Sequence, residues 1–173
     1  MLYCFRYFFP KGRTPALKYT RRTLQLCRGA VIAALYVALT MLFQPISFGA
    51  VQFRISEALC ILPVLWPEAV AGLTVGCLIS NLLGGALPPD VIFGTLATLL
   101  AAFATAKLRK NIWLAAFMPV VFNGVIVGLV LTYAYQIPAL LLNMLTVALG
   151  EAVVLYILGI PLAKVLQKLP AAG

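Results

Sequence analysis

The chain has 173 residues, of which 64% are hydrophobic and 10% are charged, whereas about 25% of the residues in an ordinary soluble domain are charged. This composition excludes a soluble globular protein. The charged residues also avoid two long stretches, since residues 29–106 carry four charges and residues 111–163 carry one. At about 20 residues for each spanning helix, these stretches hold five or six membrane crossings and leave no room for a soluble catalytic domain.

The net charge of +9 comes from thirteen basic and four acidic residues. The basic residues lie before, between and after the apolar stretches, which indicates membrane topology and argues against a nucleic-acid partner. The chain has no histidine, which excludes histidine-based catalysis and histidine metal sites. The four cysteines lack metal-ligand spacing, so we expect no metal site and interpret them as buried, unpaired thiols. They are Cys4, Cys27, Cys60 and Cys77.

The first 28 residues combine seven cations with several aromatic side chains, and Pro10 and Pro15 interrupt any long helix there. They contain no apolar core of the length that a cleavable signal peptide requires. We predict that residues 1–28 form a cytoplasmic segment lying on the anionic membrane surface, with a disordered tail as the alternative. Residues 29–166 then form the transmembrane domain, and residues 167–173 a short cytoplasmic tail.

The first predicted span covers residues 29–44 and leads into an outer loop, residues 45–55. The next stretch, residues 56–83, is long for one helix and short for two, and Pro63 and Pro67 interrupt it near its middle. As one broken helix, it would put the basic cluster at residues 107–110 outside the cell. As two short spans that turn at Pro67, it keeps the cluster inside, and the positive-inside rule favours this interpretation.

The remaining spans are predicted at residues 89–108, 112–133 and 138–166. With six crossings, twelve of the thirteen Lys and Arg residues face the cytoplasm, and Arg54 alone faces out. Five crossings would divide the cations almost evenly between the two sides. We therefore predict an all-α membrane protein with six transmembrane helices and both termini in the cytoplasm.

Ionisable and amide groups are costly inside a bilayer, so each one is a candidate for a binding site. Most of those in this chain fall in the predicted outer half, and Glu151 lies about 20 Å below the outer end of its span at 1.5 Å per residue. A structural alternative exists for several of them, since Arg54 and Glu57 are three residues apart and could pair with each other, and each Asn could bond between helices. The candidate substrate-binding residues are Arg54, Glu57, Asn81, Asp90, Asn123, Asn143 and Glu151.

Small residues form two stripes. In the fifth span Asn123 is followed by Gly124 and Gly128 at helical spacing, so another helix or a ligand can approach closely there. In the first span alanines recur every fourth residue, which favours a surface for docking a partner helix. This partner-docking stripe comprises Ala30, Ala34 and Ala38.

Several strings spread over residues 29–166 resemble the queuosine-precursor transporter family, QueT, whose members are substrate-binding S components of energy-coupling factor (ECF) vitamin transporters. They are Pro45-Ile-Ser-Phe-Gly, Gln52-Phe-Arg-Ile-Ser-Glu-Ala-Leu, Gly76-Cys-Leu-Ile-Ser-Asn-Leu-Leu-Gly-Gly, Asp90-Val-Ile-Phe-Gly-Thr-Leu-Ala-Thr, Asn143-Met-Leu and Gly150-Glu. The basic amino-terminal segment is longer than this resemblance leads us to expect.

The resemblance implies a six-helix S component in the bacterial plasma membrane, with a ligand pocket in its extracellular half. It also implies two kinds of partner besides membrane lipids: a transmembrane coupling subunit, the T component, and two cytoplasmic ATPases. The alanine stripe of the first span matches the surface that contacts the coupling subunit while the S component topples in the membrane. The chain lacks the phosphate-binding G-x-x-x-x-G-K-[ST] pattern, so we expect no cofactor in this chain, with ATP and Mg used by the partner ATPases.

The ligand implied by the resemblance is a 7-deazaguanine such as 7-aminomethyl-7-deazaguanine. Its N–H groups and its ammonium would need carboxylate acceptors, for which Glu57, Asp90 and Glu151 are the candidates, and its carbonyl would need a donor. The alternatives are an S component or solitary facilitator for another vitamin or nucleobase, a structural scaffold, and an intramembrane lipid-modifying enzyme. The enzyme is disfavoured because the chain has no histidine and no recognisable nucleophile arrangement.

Overall fold

The structure, a computed structural model, describes residues 21–44 and 54–168, and within these ranges the secondary structure is entirely helical. The last three segments run on without a break as one helix, so the described residues form six helices. The segments are α1 (Arg21–Leu42), a 3-10 helix (Ile55–Val64), α2 (Ala69–Leu83), α3 (Pro88–Lys107), α4 (Ile112–Tyr133), α5 (Leu140–Val153), a π-helical segment (Val154–Gly159) and α6 (Ile160–Lys168).

Four of these helices are long and apolar enough to cross a membrane. They correspond to the predicted first, fourth, fifth and sixth spans, with ends that differ by at most two residues except at the start of α1. That helix already includes Arg21, eight residues before the predicted start. Residues 1–20, the part of the outer loop at residues 45–53 and the tail at residues 169–173 lie outside the described residues, and so do the predictions made for them.

The stretch at residues 56–83, predicted to form two short spans, consists of two separate helices. They are joined through a turn around Trp66 and Pro67, in which the amides of Trp66 and Ala69 donate to the carbonyls of Leu62 and Trp66. The 3-10 helix rises about 2.0 Å per residue and the α-helix about 1.5 Å per residue, so each is about 20 Å long. Both are shorter than a hydrocarbon core of about 30 Å. The break at Pro67 is confirmed, whereas the count of six crossings stays a prediction.

The 3-10 helix lies at the centre of the bundle. All eight residues from Ser56 to Pro63 are buried, and the helix packs against α1, α2, α3, α4, the π-helical segment and α6. Its side chains Cys60 and Ile61 are fully enclosed in the main apolar core, together with Leu73 and Leu155. The polar residues at its amino-terminal end are therefore presented to several helices at once.

Small residues bring neighbouring helices into backbone contact. A Cβ placed on Gly72 of α2 would lie 2.5 Å from the carbonyl oxygen of Gly29 in α1. In the seam predicted for the fifth span, a Cβ on Gly128 would lie 2.6 Å from Met144 of α5. The neighbour across the Gly124 and Gly128 seam is thus another helix, one of the two alternatives that the sequence leaves open.

Helix direction sorts the charged residues between two ends of the bundle. One end, which we call the basic end, has Arg28 ion-paired with Glu68 at 3.3 Å and stacked over the Trp66 ring. Lys107 and Lys164 also lie at the basic end, over aromatic rings. The opposite end, the Arg54 end, holds the start of the 3-10 helix, the end of α2 with Asn81, the start of α3 with Asp90 and the start of α5 with Asn143, whereas Asn123 and Glu151 lie nearer the middle of their helices.

The outer surface of the bundle is apolar, as expected of a protein surrounded by lipid. Large hydrophobic side chains are exposed on every long helix, whereas all four charged residues of the bundle interior are buried. Exposed examples are Leu35, Phe103, Phe117, Leu149 and Ile157. This distribution and the four long apolar helices make the chain a membrane protein.

Candidate functional site

Arg54 and Asp90 form a buried ion pair at the Arg54 end. The Arg54 Nη2 atom lies 3.7 Å from Asp90 Oδ2, with 6% and 0% of the two side chains exposed. The Tyr135 hydroxyl donates to the same Asp90 oxygen at 3.2 Å and accepts from the Leu87 amide at 3.2 Å. Partial burial raises the pKa of the Tyr135 phenol, so the phenol is protonated at neutral pH and acts as the donor. The ion-pair partner of Arg54 is thus Asp90 and not Glu57, the partner considered from the sequence.

Asn81 lies beside Asp90, across a space that Gly94 leaves open. A Cβ on Gly94 would lie 3.0 Å from Asp90 Oδ1 and 3.3 Å from the Asn81 amide nitrogen. Because glycine has no side chain, α2 and α3 can direct both polar groups at one point. The amide nitrogen of Asn81 also contacts Cys77 Sγ at 3.5 Å.

Glu57 lies inside the bundle and bonds to neutral donors. Its Oε1 accepts the hydrogen bond of the Tyr36 hydroxyl, and its Oε2 accepts that of the Cys60 thiol at 2.8 Å. Next to it, Thr40 donates to the hydroxyl of Ser56 at 2.8 Å. These bonds fix Glu57 between α1 and the 3-10 helix, and no basic side chain of the described residues lies within ion-pair distance of its carboxyl group.

Glu151 lies deeper in the bundle and is bound by Asn123. The Asn123 amide nitrogen donates to Glu151 Oε1 at 2.8 Å, and both side chains are buried, with 3% and 7% exposed. Glu151 is eleven residues from the start of α5, which is about 16 Å at 1.5 Å per residue. Glu57 and Arg54 both interact electrostatically with Glu151.

Asn143 holds the turn between α4 and α5. Its amide nitrogen donates to Thr132 Oγ1 and to the Ile137 carbonyl, both at 2.9 Å. The turn contains Gln136 and Ala139 with positive φ, 56° and 73°, a conformation that L-residues seldom adopt. The contacts of Asn143 therefore agree with the structural alternative for an Asn, and its role in binding stays a prediction.

The candidate residues thus form one polar cluster, which we define as Arg54, Glu57, Asn81, Asp90, Asn123 and Glu151. Four of its buried oxygen atoms have no hydrogen-bond partner among the described residues: Oδ1 of Asn81, Asp90 and Asn123, and Oε2 of Glu151. A buried acceptor without a donor is costly. All four atoms are acceptors, so the arrangement suits a ligand that is rich in N–H donors.

The cluster depends on two tyrosines that the sequence analysis missed. Tyr36 is completely buried and belongs to an inward stripe of α1 with Ile32 and Thr40. Two hydroxyl-bearing residues four apart, Tyr36 and Thr40, on the face opposite the alanines are the sequence signal that could have found it. Tyr135 could not be found this way because it lies beyond the end of α4 and reaches Asp90 only through the fold of the turn.

The alanine stripe of α1 faces away from the bundle. Ala30, Ala34 and Ala38 are all exposed, and at the basic end an apolar groove of about 510 Å³ runs between α1 and α2. The groove lining includes Gly29, Ala30, Ala33, Gly72 and Val75. The groove differs chemically from the polar cluster and lies at the basic end, whereas the alanine stripe runs along the outer face of α1.

The described residues contain no group of three or more His, Cys, Asp or Glu side chains that could hold a metal ion. Cys60 and Cys77 are buried free thiols, as predicted, and Cys27 is half-buried. Cys4 lies outside the described residues.

Residues 26–168 match the family model described as QueT transporter. Over 80 residues, 45% of this chain, the sequence is 41% identical to the protein named queuosine precursor transporter QueT from Lactococcus lactis subsp. cremoris strain MG1363. The alignment covers 47% of that relative's length. No solved structure matches the chain. The family match covers most of the chain and the resemblance noted in the sequence is confirmed: the protein belongs to the QueT transporter family, a family of membrane transporters and not of enzymes.

Proposed function

We propose that the protein is the substrate-binding S component of an ECF-type importer and that it captures a queuosine precursor, a 7-deazaguanine such as 7-aminomethyl-7-deazaguanine. The observation that carries this proposal is the set of buried acceptor oxygens without partners in the polar cluster. A 7-deazaguanine offers N–H donors along its base edge, and these would satisfy such acceptors. The name of the Lactococcus relative supports the same class of ligand.

The orientation follows from the charges of the two ends. With the basic end in the cytoplasm, as the positive-inside rule requires, the Arg54 end and the polar cluster face outward. Six crossings with both termini in the cytoplasm agree with this arrangement. A ligand would then enter the protein from the outside of the cell.

ATP-driven transport would take its ATPase from a partner, because the chain carries no phosphate-binding loop. The exposed alanines of α1 and the apolar groove beside them form a surface of small side chains on which a helix can pack closely. We assign this surface to a transmembrane coupling subunit, the T component, which joins the S component to two cytoplasmic ATPases. Those ATPases use ATP and Mg, and toppling of this chain against the coupling subunit delivers the ligand inward.

Binding is tested by isothermal titration of the purified chain with 7-deazaguanines and with common vitamins. Binding of a 7-deazaguanine supports the proposal, whereas tight binding of an unrelated vitamin and none of a 7-deazaguanine would move the specificity elsewhere. Uptake that persists after the coupling module is deleted would show that the protein is a solitary facilitator.

The division between binding and docking predicts the behaviour of one variant. Ala34→Leu adds bulk to an exposed face, so ligand binding is expected to stay within about twofold of the wild type while uptake is lost, because the partner helix can no longer approach. Leu35→Ala, a change at the neighbouring exposed position, is the control and should retain uptake. Loss of ligand binding by a correctly folded Ala34→Leu protein would refute this division.

A further inference from the structure

The buried charges of the polar cluster do not balance. Arg54 pairs with Asp90, and the other ion pair among residues 21–44 and 54–168 joins Arg28 to Glu68 at the basic end. Glu57 and Glu151 are therefore two buried carboxyl groups without a basic side chain as ion-pair partner in these residues. Their hydrogen bonds come from the neutral groups of Tyr36, Cys60 and Asn123.

The Glu151 and Asn123 pair also has two acceptor oxygens that bind no donor among the described residues. Asn123 donates to one oxygen of Glu151, which leaves Asn123 Oδ1 and Glu151 Oε2 buried without partners. Glu57, close enough to interact electrostatically with Glu151, supplies a further carboxylate. An ammonium group has three donors and no acceptor, so it matches these groups in both charge and hydrogen bonding.

The Asp90 side of the cluster is suited to a neutral partner. Arg54 compensates the charge of Asp90, and Asp90 Oδ1 and the Asn81 amide meet at the space left by Gly94. A carboxylate oxygen next to an amide presents acceptors and donors together, which is the pattern that the edge of a guanine-like base requires. The two ends of the cluster thus differ in the ligand charge that they accommodate.

We propose that Glu151, Asn123 and Glu57 form an ammonium subsite, and that the protein therefore selects a 7-deazaguanine carrying a protonated primary amine over one with a neutral 7-substituent. Asp90 and Asn81 contact the base edge. This inference rests on the proposed function, since it assigns parts of the same ligand to parts of the same cluster. A primary amine has a pKa near that of lysine and is protonated at neutral pH.

The test compares two ligands that share the base and differ in the charge of the substituent: 7-aminomethyl-7-deazaguanine and 7-cyano-7-deazaguanine. Isothermal titration of the full-length protein is expected to show about 10- to 100-fold tighter binding of the amine, the range given by charge-assisted hydrogen bonds. In Glu151→Gln the bond from Asn123 can persist while the charge is removed. The preference should then fall to within about threefold, mainly through weaker binding of the amine.

Two further variants separate charge from structure. Glu57→Gln should also reduce the preference for the amine over the cyano compound. It provides an independent test if Glu151→Gln does not fold. Glu68→Gln makes the same chemical change at the basic end, away from the cluster, and should leave the affinities for both ligands unchanged. Monodisperse elution from a sizing column establishes that each variant is folded before titration.

The outcomes distinguish the two proposals. If the wild type binds both ligands equally or prefers the cyano compound, the ammonium subsite is refuted and the proposed function stands. A folded Glu151→Gln protein that keeps the full preference for the amine would overturn the assignment of Glu151. If the wild type binds neither compound, the proposed function itself fails.

Discussion

The contact between α1 and α2 gives a quantitative prediction, because two glycines face each other with very different space around them. A Cβ on Gly72 would lie 2.5 Å from the carbonyl oxygen of Gly29 and 3.1 Å from two further backbone atoms of that residue. Ordinary contact begins at 3.4 Å, so the helices must separate by about 0.9 Å. A Cβ on Gly29, in contrast, would meet its nearest atom, the Glu68 carbonyl oxygen, at 3.6 Å.

The two Gly→Ala substitutions should therefore differ in their effect on stability. Each gains about 1 kcal/mol of helix propensity, but Gly72→Ala also incurs an overpacking cost of about 1–3 kcal/mol, since backbone atoms cannot rotate away. We expect the free energy of unfolding of Gly72→Ala to lie about 1–3 kcal/mol below that of Gly29→Ala. Gly29→Ala itself should equal or exceed the wild type.

The measurement is equilibrium unfolding in mixed micelles with an increasing fraction of sodium dodecyl sulfate, followed by circular dichroism and tryptophan fluorescence. Wild type, Gly72→Ala and Gly29→Ala are compared under one condition. Equal stability of the two variants, or a less stable Gly29→Ala, would refute the backbone contact between α1 and α2 as the reason for glycine at residue 72.

Two further predictions concern residues that end or begin helices. Asn111 caps α4 by accepting from the amides of Trp113 and Leu114 at 3.1 and 3.3 Å, so Asn111→Ala should lower the free energy of unfolding by about 1 kcal/mol. Asn111→Asp retains the acceptor and is the control. Equal losses of stability in both variants would contradict the capping role. Asn143→Ala removes two hydrogen bonds from the turn between α4 and α5 and should lower stability by about 1–3 kcal/mol, which the same unfolding assay measures. Leu142→Ala, at an exposed neighbouring position, is its control, and a change of similar size there would argue against a specific role for Asn143.

The helices could be predicted because membrane insertion restricts the chain so strongly. Every backbone polar group must be bonded within the bilayer, so a long apolar stretch bounded by charges or prolines has to be a helix. Residues 112–133 were predicted with the bounds that the structure has. The start of α1 was placed late because its first turns carry Arg21, Arg22 and Arg28, which a hydropathy argument assigns to the segment outside the membrane.

The polar cluster was predictable as a set of residues but not as a set of bonds. The cost of polar groups in lipid singled out Arg54, Asp90, Asn123 and Glu151. Spacing along one helix suggested Glu57 as the ion-pair partner of Arg54, whereas the fold brings Asp90 there from α3. Contacts between helices depend on how the bundle packs, and spacing within one helix carries no information about that.

The sequence by itself determined that this is a helical membrane protein of the QueT family with a few buried polar groups, because composition, charge placement and family strings are properties of the chain alone. Tertiary structure decided the rest. It placed the 3-10 helix at the centre, directed Tyr36 and Tyr135 at the acidic residues and turned the alanine stripe outward. It also paired Arg54 with Asp90 and gave Glu57 and Glu151 hydrogen bonds from neutral side chains. The physical reason is that the charge balance of a buried site is set by distances between helices.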